Sequence, residues 1–174
     1  MNPSVLPNHL IIAPILIPLV AGAIMLFYND RNRQTKLVMG LVAVGLMFLS
    51  SVELMSDAKE LGAAGGAIVQ LYRLGDWPVP IGIVLVLDRL SAMMVMLTAL
   101  LAAPSLIYAA AGWHGKGQHY HSMFQFLLAG VNGSFLTGDL FNLFVFFEVM
   151  LAASYGLMLH LSLIHISEPT RQEA

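Results

Sequence analysis

The chain of 174 residues has no cysteine. That absence excludes disulfides, thiolate-bound zinc and cysteine-ligated iron–sulfur clusters. Charge is scarce as well. Asp, Glu, Lys and Arg together make up 10% of the residues, against about 25% in an ordinary soluble domain. The net charge of −2 leaves no basic excess for nucleic acid. No basic region precedes the first apolar run and no small-residue cleavage site follows it, so no cleavable signal peptide is expected. A phosphate-binding glycine loop and a nucleophile–base pair are also missing, and no cofactor is expected. What is present is apolar: 58% of residues are hydrophobic and the mean hydropathy is +0.79. A chain of this kind finds its solvent in a bilayer, with lipid as a direct partner.

Apolar runs of about 20 residues are long enough to span. They fall at 10–28, 36–55, 89–111, 120–136 and 140–160. Pro14 and Pro18 interrupt the first and Pro104 the third, which a membrane bundle tolerates as kinks. Gly40 and Gly45 suit close packing of the second. Between the second and third runs, Ile68 to Arg73 and Ile81 to Leu87 are rich in β-branched residues. They flank Leu74-Gly75-Asp76-Trp77-Pro78-Val79-Pro80, which reads as a turn, so residues 56–87 form a loop with an extramembrane β-hairpin. Trp77 suits the membrane–water boundary. Asp88 has the position of a helix N-cap, and Thr137-Gly138-Asp139 reads as a tight turn. The fold class expected is therefore all-α integral membrane: a polytopic helical bundle with a small hairpin. From Ser167 the chain turns abruptly polar, and Ile164 to Gln172 looks like a translated adapter. Residues 1–160 are taken as the membrane domain and 161–174 as a non-native tail.

Within the fifth run the charged residue is Glu148. A carboxylate at mid-span costs at least about 2.5 kcal/mol, unless it is protonated, paired or turned to internal water. Desolvation raises its pKa and a nearby cation lowers it. A group held between those two effects loads and releases a proton. At about 100° per residue, Tyr155 and Leu151 share its face, with Val145 and Phe144 behind, whereas Asn142 and Ser154 do not. The bland alternative is a structural polar contact between helices. His114, His119 and His121 share one loop without a carboxylate at metal-site spacing, so they are read as solvated and no metal is expected. His9 and His160 sit near opposite membrane ends. Asp139 is read as a cap near the mouth of the fifth span, and Asp88 and Arg89 as a cap or a pair.

The string Thr137-Gly138-Asp139-Leu140-Phe141-Asn142-Leu143-Phe144-Val145-Phe146-Phe147-Glu148-Val149-Met150-Leu151, followed by Ala153-Ser154-Tyr155-Gly156-Leu157, resembles the fifth helix of the D-subunits of Mrp-type multisubunit sodium/proton antiporters. Gly75-Asp76-Trp77-Pro78, Pro80-Ile81-Gly82-Ile83 and Asp88-Arg89-Leu90-Ser91-Ala92 resemble the family's loop and third-helix start. The likeness covers about residues 8–160. It implies a natural fold of about fourteen spans, homologous to the antiporter-like proton-translocating subunits of respiratory complex I. It also implies that Glu148 is the family's proton-binding glutamate, that the partners are the other Mrp subunits, and that protons and monovalent cations, mainly sodium, are carried. The lysines and histidine that continue the family's relay lie on later helices, so this length of chain is expected to be inactive alone. The expected role is that of a secondary transporter subunit and not an enzyme. The rival readings are a proton-pumping membrane subunit of an NADH:quinone oxidoreductase or membrane hydrogenase, and a purely structural scaffold.

Arg31, Arg33, Lys36 and Lys116 lie in alternate loops, which places those loops in the cytoplasm. The expected location is the inner membrane, with the N-terminus outside. Single Gly62→Cys and Gly117→Cys variants treated with an impermeant thiol reagent check this. Gly62→Cys is expected to react in intact cells and Gly117→Cys only after permeabilisation; the reverse pattern refutes the orientation.

Overall fold

The computed structural model describes residues 9–28, 33–63, 69–77, 82–112 and 119–166. Arg31, His114, Lys116 and the polar end of the tail lie outside them. A short 3-10 helix, His9–Ile12, leads into α1 (Ala13–Phe27). Then come α2 (Arg33–Ala63), β1 (Gln70–Arg73), β2 (Val84–Leu87), α3 (Arg89–Gly112), α4 (Tyr120–Leu136) and α5 (Leu140–Ile166). Four stretches are long and apolar enough to cross a membrane: His9–Phe27, Gln34–Lys59, Arg89–Ala111 and Leu140–Leu159. α4 is a fifth, shorter helix of 17 residues. The chain is thus a helical membrane bundle with a two-stranded hairpin, as its hydropathy predicts.

The second helix outruns expectation. It continues from Met55 through Gly62 to Ala63, because its buried stripe continues: Leu54 and Ala58, one turn apart, are 0% and 1% exposed. Arg89 Nε donates to Ala58 O at 3.4 Å, tying this extension to the start of α3. At 1.5 Å per residue its length is about 45 Å, more than the roughly 30 Å of hydrocarbon in a bilayer.

The hairpin is antiparallel, pairing Gln70 with Leu87 and Arg73 with Val84. Alternation along the strands turns Tyr72, Leu85 and Leu87 inward, where they join Ile11, Ile15, Leu54, Ala58, Ala92, Val95 and Leu136 in one apolar cluster. Gly75, at φ +67°, supplies the left-handed residue of the connection. His9 Nδ1 and Tyr72 Oη lie 3.0 Å apart, fastening the chain's entry to the hairpin. The segment expected as a tight turn, Thr137–Asp139, instead runs along the sheet edge. Thr137 pairs with Leu85, and Gly138 N donates to Val84 O at 2.8 Å. An edge strand offers unpaired backbone groups, and this segment takes them.

Both acidic caps are in place. Ser91 N donates to Asp88 Oδ1 at 2.7 Å while Asp88 N donates to Ser91 Oγ at 2.9 Å, a reciprocal box at the start of α3. Asn142 N donates to Asp139 Oδ1 at 2.9 Å at the start of α5.

α4 and α5 pack at backbone contact. A Cβ on Gly130 would meet Met150 N at 2.9 Å, and one on Gly133 would overlap the Phe146 ring. A Cβ on Gly45 of α2 meets nothing within 4 Å. Gly130→Ala is therefore expected to destabilise the complete protein by about 1–3 kcal/mol through overpacking. Gly45→Ala is expected to be neutral or to stabilise by up to about 1 kcal/mol through helix propensity. Thermal unfolding of the two variants in detergent checks the order, and equal midpoints would refute backbone contact between α4 and α5.

Candidate functional site

Glu148 sits eight residues into α5, about 12 Å along its axis from Leu140. The face of α5 that meets α4 carries Asn142, Phe146, Met150 and Ala153. Asn142 and Ala153 are 6% and 3% exposed. These positions lie about 120–160° around the helix from Glu148. The glutamate consequently points away from α4 and is exposed. Its surroundings on that face are Phe141, Phe144, Val145, Leu151, Tyr155 and Leu159, all exposed. Asn142 and Ser154 fall off this face, as helical geometry predicts; Asn142 is turned inward and its side-chain amide bonds Asp139.

α5 is also the least covered of the apolar helices. Only 11% of its spanning stretch is buried, against 33–39% for the other three. Among the described residues no hydrogen bond or ion pair reaches Glu148. Acids within membrane spans rarely face lipid; they usually meet protein or internal water.

The other sequence candidates are not brought to it. Asp88 and Asp139 are at the hairpin end, engaged as caps. His9 is paired with Tyr72, and His119 precedes α4 at the opposite end. Among the described residues no group of three His, Asp or Glu is placed to hold a metal ion.

A second polar feature was not assembled from the sequence. Lys36, read as a loop residue, and His121, read as solvated, are instead buried in α2 and α4, and Ser122, Gln125 and Asn132 are buried in α4. Their signal was available: Ser122, Gln125 and Asn132 recur at helical spacing in an apolar run, so they share one side of α4.

Comparison with known proteins gives the bundle its relatives. The D-subunit of a probable K(+)/H(+) antiporter of Rhizobium meliloti (strain 1021) is 53% identical over 156 residues, 88% of this chain. The D-subunit of the Na(+)/H(+) antiporter of Alkalihalophilus pseudofirmus is 42% identical over 153 residues, 87% of this chain. Over most of its length the chain is homologous to part of the antiporter D-subunits. It spans only 28–30% of the length of these relatives. No protein-family profile matches it. Among solved structures, the Mrp complex from Dietzia sp. DQ12-45-1b superposes with a TM-score of 0.76 at 30% identity, over 87% of this chain and 27% of that one. An archaeal membrane-bound sulfane sulfur reductase superposes with a TM-score of 0.67 at 22% identity, over 84% of this chain and 28% of that one, and shares the fold. The bare face of α5 thus belongs to a chain whose relatives are about three times as long.

Proposed function

We propose that this chain is part of a membrane subunit of a multisubunit monovalent cation/proton antiporter, and that Glu148 is the group that takes up and releases the proton. The observation that carries this reading is the placement of one carboxylate, midway along an apolar helix, on the face that the rest of the bundle leaves bare. In the complete protein, further helices would cover that face and exclude lipid. An apolar wall favours the neutral carboxyl and a cationic group favours the carboxylate, so a small rearrangement of the covering wall would load or discharge the proton. Homology to both K(+)/H(+) and Na(+)/H(+) antiporter subunits supports a monovalent cation as the exchanged ion. The expected partners are the other antiporter subunits.

A redox-driven pump subunit would use the same carboxylate with a different energy source. The resemblance to the sulfane sulfur reductase is of fold alone, and the 53% identity to an antiporter subunit favours antiport.

Glu148→Gln separates chemistry from packing. Gln keeps the volume and much of the hydrogen bonding and carries no exchangeable carboxyl proton. In the complete subunit within its complex, Glu148→Gln is expected to abolish cation-dependent proton movement while the complex still assembles. Glu148→Asp is expected to retain partial activity. A purely structural residue gives the opposite order, since a neutral amide is easier to bury than a charge. Cation-driven pH change in everted vesicles, with complex abundance measured on a native gel, checks the order. Wild-type rates in Glu148→Gln at normal abundance would remove the assignment.

A further inference from the structure

The interior between α1, α2 and α4 carries a line of polar atoms that the proton chemistry of Glu148 does not use. Ser122, Gln125 and Asn132 are each 0% exposed. They fall within about 80° of one another around α4, on the side facing α1 and α2. Two contacts fix that side. Asn132 Nδ2 donates to Pro14 O at 2.9 Å, and Gln125 Nε2 donates to Gly40 O at 3.3 Å.

The Asn132 contact has a local cause. Pro18 lies inside α1 and has no N–H to offer the carbonyl four residues earlier, which is that of Pro14. Asn132 fills this vacancy. The amide orientation follows, because a flipped amide would set Oδ1 against another acceptor. Gly40 has no side chain where the Gln125 amide meets α2.

With both amide nitrogens committed, three atoms of these side chains have no hydrogen-bond partner among the described residues: Ser122 Oγ, Gln125 Oε1 and Asn132 Oδ1. Each such atom left dry costs about 1–3 kcal/mol. In native proteins nearly all buried polar atoms find a protein or water partner. Three on one helix side, over about 15 Å of axis, amount to a pattern.

Water is the occupant that fits. Gln125 and Asn132 are about 10 Å apart along the helix, too far to share one cation. The three side chains are sealed between packed helices, so a donor from another segment could reach them only by displacing α1 or α2. Ser122 and Gln125, about 4.5 Å apart along the axis, are close enough for one water to bridge.

We propose that the α1–α2–α4 interior holds a file of ordered water along Ser122, Gln125 and Asn132, distinct from the Glu148 face. It runs toward the end of the bundle where α2 and α4 start. It ends blind under the hairpin, where Ile11, Ile15, Leu85 and Leu136 close the other end as an apolar plug. It lies across α4 from α5, whose glutamate points the other way, so the inference stands whether or not Glu148 carries the proton.

Met47 is a built-in reporter. It is 0% exposed, and its Sδ lies 2.9 Å from Asn132 Nδ2. Hydroxyl radicals made by X-ray radiolysis of bound water oxidise adjacent methionines. In the complete antiporter complex, Met47 oxidation is expected to be several-fold faster in the wild type than in Asn132→Leu, which keeps the bulk and removes the water's anchor. A Met47 that stays unoxidised, or that oxidises equally in both, overturns the proposal. Should Asn132→Leu not assemble, a wild-type density map at water-resolving quality decides. Peaks at hydrogen-bonding distance from Ser122 Oγ, Gln125 Oε1 and Asn132 Oδ1 support the file. Empty density there, or a protein donor occupying those positions, overturns it.

Discussion

A carboxylate in the middle of a membrane helix is stable only where something other than lipid meets it, and that requirement orders the bundle. α5 has to present Glu148 to a protected space while being held firmly from the opposite side. The glycines of α4 meet the second need. With no Cβ at Gly130 and Gly133, the backbone of one helix comes against the backbone and aromatic rings of the other. Without a hydrophobic driving force in lipid, such close contact is a main source of helix association. One side of α5 is thereby fixed, and the glutamate is turned about 120–160° away from it, onto the face that the described bundle leaves bare.

The same rule governs α4 itself. Flanked by α1, α3 and α5, it can carry polar side chains that a lipid-facing helix cannot. Asn132 repairs the hydrogen bond that Pro18 denies to Pro14. The proline irregularity in α1 and the polar residue in α4 are therefore one feature, seen on two helices. The hairpin completes the bundle from one end. Its inward residues cap the apolar cluster, and its edge takes the α4–α5 connection as a third extended segment. The position at which α5 starts is set there, and with it the depth of Glu148.

The spans, hairpin, caps and Glu148 face were legible in the sequence because each rests on a short-range rule. Hydropathy over about 20 residues marks a span, β-branched runs on either side of a turn mark the hairpin, and angular spacing separates Glu148 from Asn142. What was not legible depends on neighbours distant in sequence. The extension of α2 past Met55 is stabilised by burial of Ala58 under the hairpin and by Arg89, thirty-one positions away. The Thr137–Asp139 segment reads as a turn locally and becomes an edge strand only because Val84 and Leu85 are beside it. The pairing of Asn132 with Pro14 spans 118 positions. Ser122, Gln125 and Asn132 were visible as polar residues in an apolar run, yet the contact of Gln125 with Gly40 appears only when α2 is laid against α4.

The direct measurement on Glu148 is its protonation in the complete complex, read by infrared difference spectroscopy as the pH is stepped. A protonated carboxyl buried in an apolar wall has a carbonyl band apart from those of solvent-exposed acids. If Glu148 is the exchanging group, the wild-type complex shows a pH-dependent band of this kind that is lost in Glu148→Gln. A band that persists unchanged in Glu148→Gln, or the absence of any titrating buried carboxyl in the wild type, would contradict the assignment.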